Sequence, residues 1–200
     1  MRLDRSLLTP LICLPVVFSD DTIKIWNKNS GDLLWNLTGH GGYVYSVAFD
    51  STYLLAGGSA DKTIKIWDKN SGGLLRTLTG HGNWVFSVAF DSTYLLASGS
   101  RDMTVKLWDK NNGDLLRTLI GHVNSVLSVE FASNNILASG SWDTTIRLWD
   151  TNSGSLLRTL EGHGNRVNQV AFDSDYFLAS GSADKTVKLW GIYFIGQFIN

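Results

Sequence analysis

The 200-residue sequence has little cysteine, little proline and no surplus of charge of either sign. Its single cysteine, Cys13, excludes an intramolecular disulfide and favours a reducing compartment. Seventeen basic and eighteen acidic residues leave a net charge of −1 and form no block of like sign, so the basic surface of a nucleic-acid-binding protein is not expected. We expect a cytoplasmic protein, with a nuclear location as the alternative, and no nucleic-acid partner.

Long hydrophobic runs are also missing. No segment reaches the roughly 18 consecutive apolar residues that span a bilayer, so no membrane partner is expected. The run Leu7–Phe18 follows Arg2 and Arg5 and loosely resembles a secretory signal. Pro10 and Pro15 interrupt that run, and no small-residue cleavage site follows it, so we do not expect secretion.

Tryptophan and histidine recur at intervals of 41 residues. The recurring residues are Trp26, Trp67, Trp108, Trp149 and Trp190, with His40, His81, His122 and His163. A period of about 20–50 residues indicates copies of one structural unit in a solenoid, a propeller or an array. A hydrophobic content of 44% is sufficient for these units to share a buried core.

Residues 43–80 show how one unit is built. They contain four short apolar or β-branched segments separated by turn residues, and they show no helical periodicity. The predicted strands are Tyr43–Phe49, Tyr53–Gly58, Thr63–Trp67 and Leu74–Thr79. A small sheet that is apolar on both faces must be covered by its neighbours, and radial stacking in a β-propeller does this. We expect the polar fourth strand to lie outermost.

The motifs of each unit resemble those of the WD40 repeat family. In one copy they are Gly80-His81, the segment Leu96–Ser100, and the segment Asp102–Asp109, which ends in Trp-Asp. The resemblance covers Gly39–Trp190 as four full repeats. It implies an all-β fold, namely a β-propeller of four-stranded antiparallel blades.

About five blades are expected in a single repeat domain spanning residues 1–200. We interpret residues 1–40 as a degenerate first repeat, 41–190 as four well-formed repeats, and 191–200 as a C-terminal strand or tail. Five units could close a ring, remain an open arc, or be completed by self-association. We favour the incomplete arc, which a fragment of a larger protein would form, over the sealed ring.

Each full repeat also contains the residue types of a hydrolytic triad. A catalytic site is not normally copied once per repeat, and no G-x-S-x-G nucleophile motif occurs. The family resemblance instead implies a structural hydrogen-bonded tetrad inside each blade. The three tetrads are His81, Ser98, Asp102 and Trp108; His122, Ser139, Asp143 and Trp149; and His163, Ser180, Asp184 and Trp190. Gly57 replaces the serine beside His40 and Trp67, so that blade is expected to be weaker.

Neither a metal nor a cofactor is expected. Histidines that occur once per blade do not converge on one ion, and the motifs C-x-x-C and H-E-x-x-H are absent from the sequence. The glycines follow the turns of the repeat and do not form a phosphate-binding loop. We therefore predict that the chain is not an enzyme.

Positions that differ between repeats are the candidates for function, because the scaffold positions are the ones that repeat. In the WD40 family such positions surround the channel mouth on the face that binds partners. The candidate partner-binding residues, here called the rim residues, are Tyr43, Tyr45, Trp84, Phe86, Arg101, Leu127, Trp142, Arg166 and Asn168. Tyrosine, tryptophan and arginine are enriched in interface hot spots. The alternatives are packing between blades and drift between copies.

Together these features predict a non-catalytic WD40 scaffold. It would offer a rigid platform for a protein or peptide partner in a multiprotein assembly. One alternative is the sensor portion of a larger signalling NTPase, or of another multidomain enzyme, whose catalytic domain lies outside this chain. A second alternative is a hydrolase that uses Ser98.

Overall fold

The computed structural model describes residues 21–132, 135–173 and 177–192, and all regular elements in them are β-strands. The strands are β1 (Ile23–Trp26), β2 (Leu33–Leu37), β3 (Val44–Phe49), β4 (Leu54–Ser59), β5 (Ile64–Asp68), β6 (Leu74–Leu78), β7 (Val85–Phe90), β8 (Leu95–Ser100), β9 (Val105–Asp109), β10 (Leu115–Leu119), β11 (Val126–Phe131), β12 (Ile136–Ser141), β13 (Ile146–Asp150), β14 (Leu156–Leu160), β15 (Val167–Phe172), β16 (Phe177–Ser182) and β17 (Val187–Gly191). Cys13, the signal-like run Leu7–Phe18 and most of the predicted C-terminal strand lie outside the described residues.

These strands form five antiparallel sheets in chain order. The first sheet contains β1 and β2, the second β3–β6, the third β7–β10, the fourth β11–β14 and the fifth β15–β17. The all-β fold of antiparallel blades is therefore confirmed. The three inner sheets have the four strands that were predicted, whereas the described parts of the first and fifth sheets have two and three.

The second sheet shows why the predicted strands are nearly in the right place. Its third strand begins at Ile64, one residue later than predicted, because Thr63 belongs to the preceding turn. The Asp61 carboxylate accepts hydrogen bonds from the Thr63 amide (2.9 Å) and hydroxyl (2.7 Å). A turn closed by a side chain in this way removes its last residue from the strand ladder.

Apolar seams join neighbouring sheets. Between the second and third sheets, Ile64 and Ile66 of β5 pack with Val85 and Val88 of β7 and with Trp108 of β9, and all five are buried. The next seam repeats these positions as Val105, Leu107, Val126, Val129 and Trp149. Each fully buried aliphatic side chain contributes about 1.5–3 kcal/mol to folding, so the seams hold the sheets together.

A row of serines links the first strands, which lie at the inner edge of the sheets. The Val129 amide donates to the Ser87 hydroxyl oxygen of the preceding sheet across 3.0 Å, and Ser46 and Ser128 accept equivalent bonds at 3.1 and 3.2 Å. An edge strand leaves every second amide without a partner in its own sheet. The serines satisfy one such amide in each neighbouring sheet. The spacing of the repeats alone does not predict this contact between sheets.

The fifth sheet lacks a covering neighbour among the described residues. Val187 and Leu189 expose 78% and 68% of their surface, whereas Val105 and Leu107, at the same positions of the third sheet, are fully buried. Gly181 shows the same difference. A Cβ at Gly140 would lie 2.8 Å from a valine of the next sheet, whereas one at Gly181 would meet no atom within 4 Å. The described residues therefore form an open arc of five sheets.

Replacing Ser87 with alanine is expected to lower the free energy of unfolding by about 1–3 kcal/mol, because the Val129 amide would lose its acceptor in a buried seam. Ser51→Ala, in an exposed turn, is expected to change stability by less than about 0.5 kcal/mol. Urea denaturation followed by tryptophan fluorescence measures both variants. Equal losses of stability would contradict the role assigned to the Ser87 hydroxyl.

Candidate functional site

Four polar side chains meet inside the third sheet. Asp102 Oδ2 lies 2.7 Å from His81 Nδ1, His81 Nε2 lies 2.7 Å from Ser98 Oγ, and Trp108 Nε1 donates to Ser98 Oγ across 2.9 Å. An ionised Asp102 can only accept, so His81 Nδ1 carries a proton and donates it. His81 Nε2 then accepts from the Ser98 hydroxyl, so each of the three donors among these four side chains has one acceptor.

The fourth and fifth sheets contain the same hydrogen-bonded set of four side chains. In each of them the aspartate–histidine and histidine–serine distances are 2.7 Å, and the indole–serine distance is 2.8 Å. The structure therefore groups the twelve residues assigned to tetrads into three separate hydrogen-bonded sets, one in each sheet. They do not converge on a common cleft.

Asp102 also closes the turn between β8 and β9. Its carboxylate accepts from the Thr104 amide (3.0 Å), the Thr104 hydroxyl (2.7 Å) and the Gly82 amide (2.8 Å), besides His81. Burial opposes ionisation of Asp102, but these hydrogen bonds, led by the one from His81, outweigh it and hold the pKa well below its usual range. One carboxylate thus anchors both the turn and the tetrad.

The order serine–histidine–aspartate matches that of a catalytic triad, but the serine is inaccessible. Ser98 has 0% of its surface exposed, and its oxygen already accepts a hydrogen bond from Trp108. A substrate carbonyl would have to enter the interior of the sheet to reach that oxygen. Buried polar groups are normally hydrogen-bonded to each other, and this geometry favours a structural role.

The second sheet lacks the serine of the tetrad. His40 Nδ1 lies 2.7 Å from Asp61 Oδ2, but His40 Nε2 is buried without a hydrogen-bond partner. Gly57 stands at the serine position, and a Cβ there would meet Ile23 Cδ1 at 2.7 Å, so Ile23 fills the space of the missing side chain. Burial is the largest effect on His40 and lowers its pKa.

The rim residues lie at one end of the sheets. The Arg101 amide donates to the Trp84 carbonyl across 2.9 Å, and the Trp142 amide donates to the Ser125 carbonyl across 2.9 Å. Each of these bonds joins the residue before the turn aspartate to the residue before the first strand. The two classes of variable position are therefore neighbours in space.

The rim residues form two separate groups, and the side chains within each group contact one another through aromatic rings. In the first group, the Tyr45 ring centroid lies 5.8 Å from that of Trp84 and 5.1 Å from that of Phe86. The Arg101 guanidinium lies over the Trp84 ring, 4.6 Å from its centroid. The three aromatic side chains of this group are half-buried, so part of their surface is used in packing between sheets, as the alternative interpretation requires.

The second group spans the fourth and fifth sheets. The Arg166 guanidinium lies 4.9 Å from the centroid of the exposed Trp142 ring, and Arg166 Nε donates to the Asn168 amide oxygen across 3.1 Å. Tyr43, which is exposed, and Leu127, which is half-buried, lie outside both groups. The variable positions thus form two stacked arginine–tryptophan pairs with smaller side chains around them.

The opposite end of the first strands forms a cleft of about 450 Å³ between the third and fourth sheets. Phe90, Asp91, Phe131 and Asn135 are among the residues that line it. The Asp91 carboxylate accepts hydrogen bonds from the amides of the adjoining turn, so its charge is already used locally. This cleft is less suited to recognition than the rim.

Neither a metal-binding cluster nor a membrane-spanning helix occurs in the part of the chain that the structure describes. That part contains no group of three or more histidine, cysteine, aspartate or glutamate side chains that could hold a metal ion. It also contains no helix long and apolar enough to cross a membrane.

The sequence matches the family model described as "WD domain, G-beta repeat" four times, over residues 31–68, 72–109, 113–150 and 154–191. Each match begins just before the outer strand of one sheet and ends with the third strand of the next sheet. One sequence repeat therefore spans two adjacent sheets and connects them covalently.

Two computationally designed proteins have similar structures. The Ika4 protein is 39% identical in sequence, with a TM-score of 0.72 over 78% of this chain and 96% of that chain. The Ika8 protein is 36% identical, with a TM-score of 0.79 over 91% of this chain and 57% of that chain. A search of curated proteins found no significant match.

Lowering the pH from about 4 to about 2 is expected to destabilise the fold through the turn aspartates. Burial opposes the charge of Asp61, but hydrogen bonds from Thr63, Gly41 and His40 outweigh it and lower its pKa from 3.8 to about 2. As the pH falls, Asp61 is protonated in the unfolded chain before it is protonated in the folded protein. The stability that the ionised carboxylate contributes is therefore fully present above its ordinary pKa of 3.8 and is lost as the pH approaches the folded-state pKa of about 2. Urea denaturation between pH 5 and pH 2 measures this loss.

Asp61→Asn removes one such carboxylate and should flatten the pH dependence of stability. Asp114→Asn, in an exposed turn, serves as the control and should keep the wild-type dependence. A pH profile of Asp61→Asn that runs parallel to the wild-type profile would show that the Asp61 carboxylate is not responsible.

Restoring the missing serine should strengthen the second sheet, provided that space is made for it. Ile23→Val removes the Cδ1 atom that fills the serine space and should cost about 0.5–1.5 kcal/mol. Adding Gly57→Ser to that variant should recover about 1 kcal/mol, because the new hydroxyl can bond the buried His40 Nε2. Gly57→Ser alone should raise the free energy of unfolding by a smaller amount, because its Cβ would clash with Ile23 Cδ1. Chemical denaturation of the wild type and the three variants tests the idea, and a further loss in the double variant would contradict it.

Proposed function

The chain belongs to the WD40 repeat family, and we propose that it is a non-catalytic scaffold whose rim binds a protein or peptide partner within a multiprotein assembly. Domains of this family generally mediate protein–protein interaction and are generally non-catalytic.

The observation that carries the proposal is the stacking of two rim arginines on tryptophan rings. Arg101 lies over Trp84 and Arg166 over Trp142, at 4.6 and 4.9 Å from the ring centroids. A stacked guanidinium still presents its N–H donors along its edge, where they suit carboxylate or carbonyl oxygens. The stacking also restricts the arginine rotamers before a ligand arrives, which reduces the entropy lost on binding.

The charges around the rim favour a partner rich in hydrogen-bond acceptors. The nearby turn carboxylates, such as Asp102 and Asp143, are hydrogen-bonded to histidine and threonine and offer little to a ligand. Arginine donors and aromatic surface are what the rim presents instead. A peptide with acidic side chains or exposed backbone carbonyls, together with an apolar residue, fits this combination.

The rigidity of the rim comes from the sheets beneath it. The seams and the row of serines fix the spacing between neighbouring sheets. The carboxylates of the turn aspartates accept hydrogen bonds that close the turns next to Arg101 and Trp142. Partner binding would therefore require only side-chain adjustments, as in most pre-organised interfaces. We expect such a platform to act in the cytoplasm or the nucleus.

The alternative functions have less support. The family match and the two similar structures provide none for the sensor portion of a signalling NTPase. A hydrolase would need an accessible serine, and Ser98, Ser139 and Ser180 are all buried.

Selection of peptides from a random displayed library, followed by titration of the enriched peptides, tests the proposal. Arg101→Ala and Arg166→Ala should each weaken binding about tenfold or more, which corresponds to about 1.4 kcal/mol. Arg158→Ala, an exposed arginine on the outer strand β14, is the matched control and should leave affinity unchanged. Enriched peptides that bind both rim variants as tightly as the wild type would contradict the proposal.

A further inference from the structure

The fifth sheet presents to solvent the face that every inner sheet buries. We call the residues of this face the terminal face; they are Gln169, Gly181, Val187 and Leu189. The same positions in the fourth sheet are Ser128, Gly140, Ile146 and Leu148. Ile146 and Leu148 have 0% of their surface exposed, against 78% and 68% for Val187 and Leu189. The terminal face is thus half of a seam whose other half is missing.

Its polar edge is also prepared for a neighbour. At the inner edge, Ser46, Ser87 and Ser128 each accept a hydrogen bond from an amide of the following sheet. Gln169 takes the place of the serine in β15 and is exposed. A glutamine amide oxygen can accept the same kind of bond at a longer reach. The terminal face therefore keeps both the apolar and the polar elements of a seam.

The opposite end of the arc carries the complementary element. In each inner seam the aliphatic pair of one sheet packs in the same cluster as the tryptophan of the next, and Trp67, Trp108 and Trp149 are buried there. Trp26 holds this position in the first sheet, where no described residues precede it. Trp26 has 37% of its surface exposed. The described residues thus place an uncovered aliphatic pair at one end of the arc and a partly exposed seam tryptophan at the other.

We propose that the terminal face binds the Trp26 end of a second copy of this chain, head to tail, as one sheet binds the next within the chain. The contact would continue an interface that the chain already repeats between its own sheets. Large exposed apolar patches usually mark interaction sites, and this patch matches the chain's own other end. Such a contact is heterologous, so a pair of copies still has one free terminal face and one free Trp26 end, to which further copies can add.

Face-to-face pairing of two terminal faces is the competing arrangement. It would set Val187 and Leu189 against another aliphatic pair, with no tryptophan and with Gly181 facing Gly181. None of the inner seams has this composition, since each sets the aliphatic pair of one sheet against the tryptophan of the next. The head-to-tail arrangement is therefore favoured. It does not depend on the rim, so its failure and that of the proposed function are separate results.

Light scattering coupled to size exclusion measures the mass of the full chain as its concentration is raised. We expect a mass of at least twice the 22.1 kDa of one chain for the wild type, and 22.1 kDa for the double variant Val187→Lys/Leu189→Lys. Ile120→Lys is the matched control, because Ile120 is 78% exposed, as Val187 is, but lies on the loop after β10 and not on the terminal face. Circular dichroism should show the same strand content in all three proteins.

A wild type of 22.1 kDa at every concentration would overturn the proposal. So would dissociation caused by Ile120→Lys, because association would then follow general surface hydrophobicity.

Mixing two blocked variants tests the direction of the contact. Trp26→Lys keeps an intact terminal face, and Val187→Lys/Leu189→Lys keeps an intact Trp26 end. If the contact is head to tail, each variant alone should be monomeric, and a 1:1 mixture should form a heterodimer through its one unblocked contact. A dimer of Trp26→Lys alone would show face-to-face pairing and overturn the proposal. So would a mixture that stays monomeric at a concentration at which the wild type has associated through the same single contact.

Discussion

The structure depends on the apolar seam between consecutive sheets. Each small sheet is apolar on both faces, so it is stable only when both faces are covered, and the seams do this between neighbours in the chain. Stability is then a sum of contacts between nearest neighbours. This explains why a single glycine or serine on a seam matters, and why the sheet at the end of the arc differs from the inner sheets although its sequence is nearly the same.

The repeating tryptophan couples the seam to the polar interior of each sheet. The Trp108 ring packs against Ile64 and Ile66 across the seam, while its indole N–H donates to Ser98 inside its own sheet. A smaller apolar residue could fill the seam but could not donate to the serine. The hydrogen-bonded set of serine, histidine and aspartate is therefore completed by the tryptophan, and the tryptophan ring is buried by the neighbouring sheet. Where this chain of contacts is broken, at Gly57, an isoleucine from the preceding sheet occupies the space.

Function is left to the residues that neither network uses. The histidines and turn aspartates are hydrogen-bonded within the tetrads, and the aliphatic residues of the inner sheets are buried in the seams. Two surfaces lie outside these networks: the rim, where Arg101 and Arg166 stack on tryptophans, and the terminal face of the fifth sheet. These are the two surfaces for which we propose partners. Their residues differ in kind, since the rim is cationic and aromatic whereas the terminal face is aliphatic.

The repeat and the strands, to within about one residue, could be predicted from the amino-acid sequence alone, because they follow local patterns that return every 41 residues. The members of each tetrad came from the resemblance to WD40 repeats. It did not predict the bond from Val129 to Ser87 or the stacking of Arg166 on Trp142, which join residues of different sheets. That the fifth sheet is uncovered became clear from the three-dimensional arrangement of the described residues. Val187 and Val105 have nearly identical neighbours in sequence, and their exposure differs because the arc has no sheet beyond the last one among the described residues.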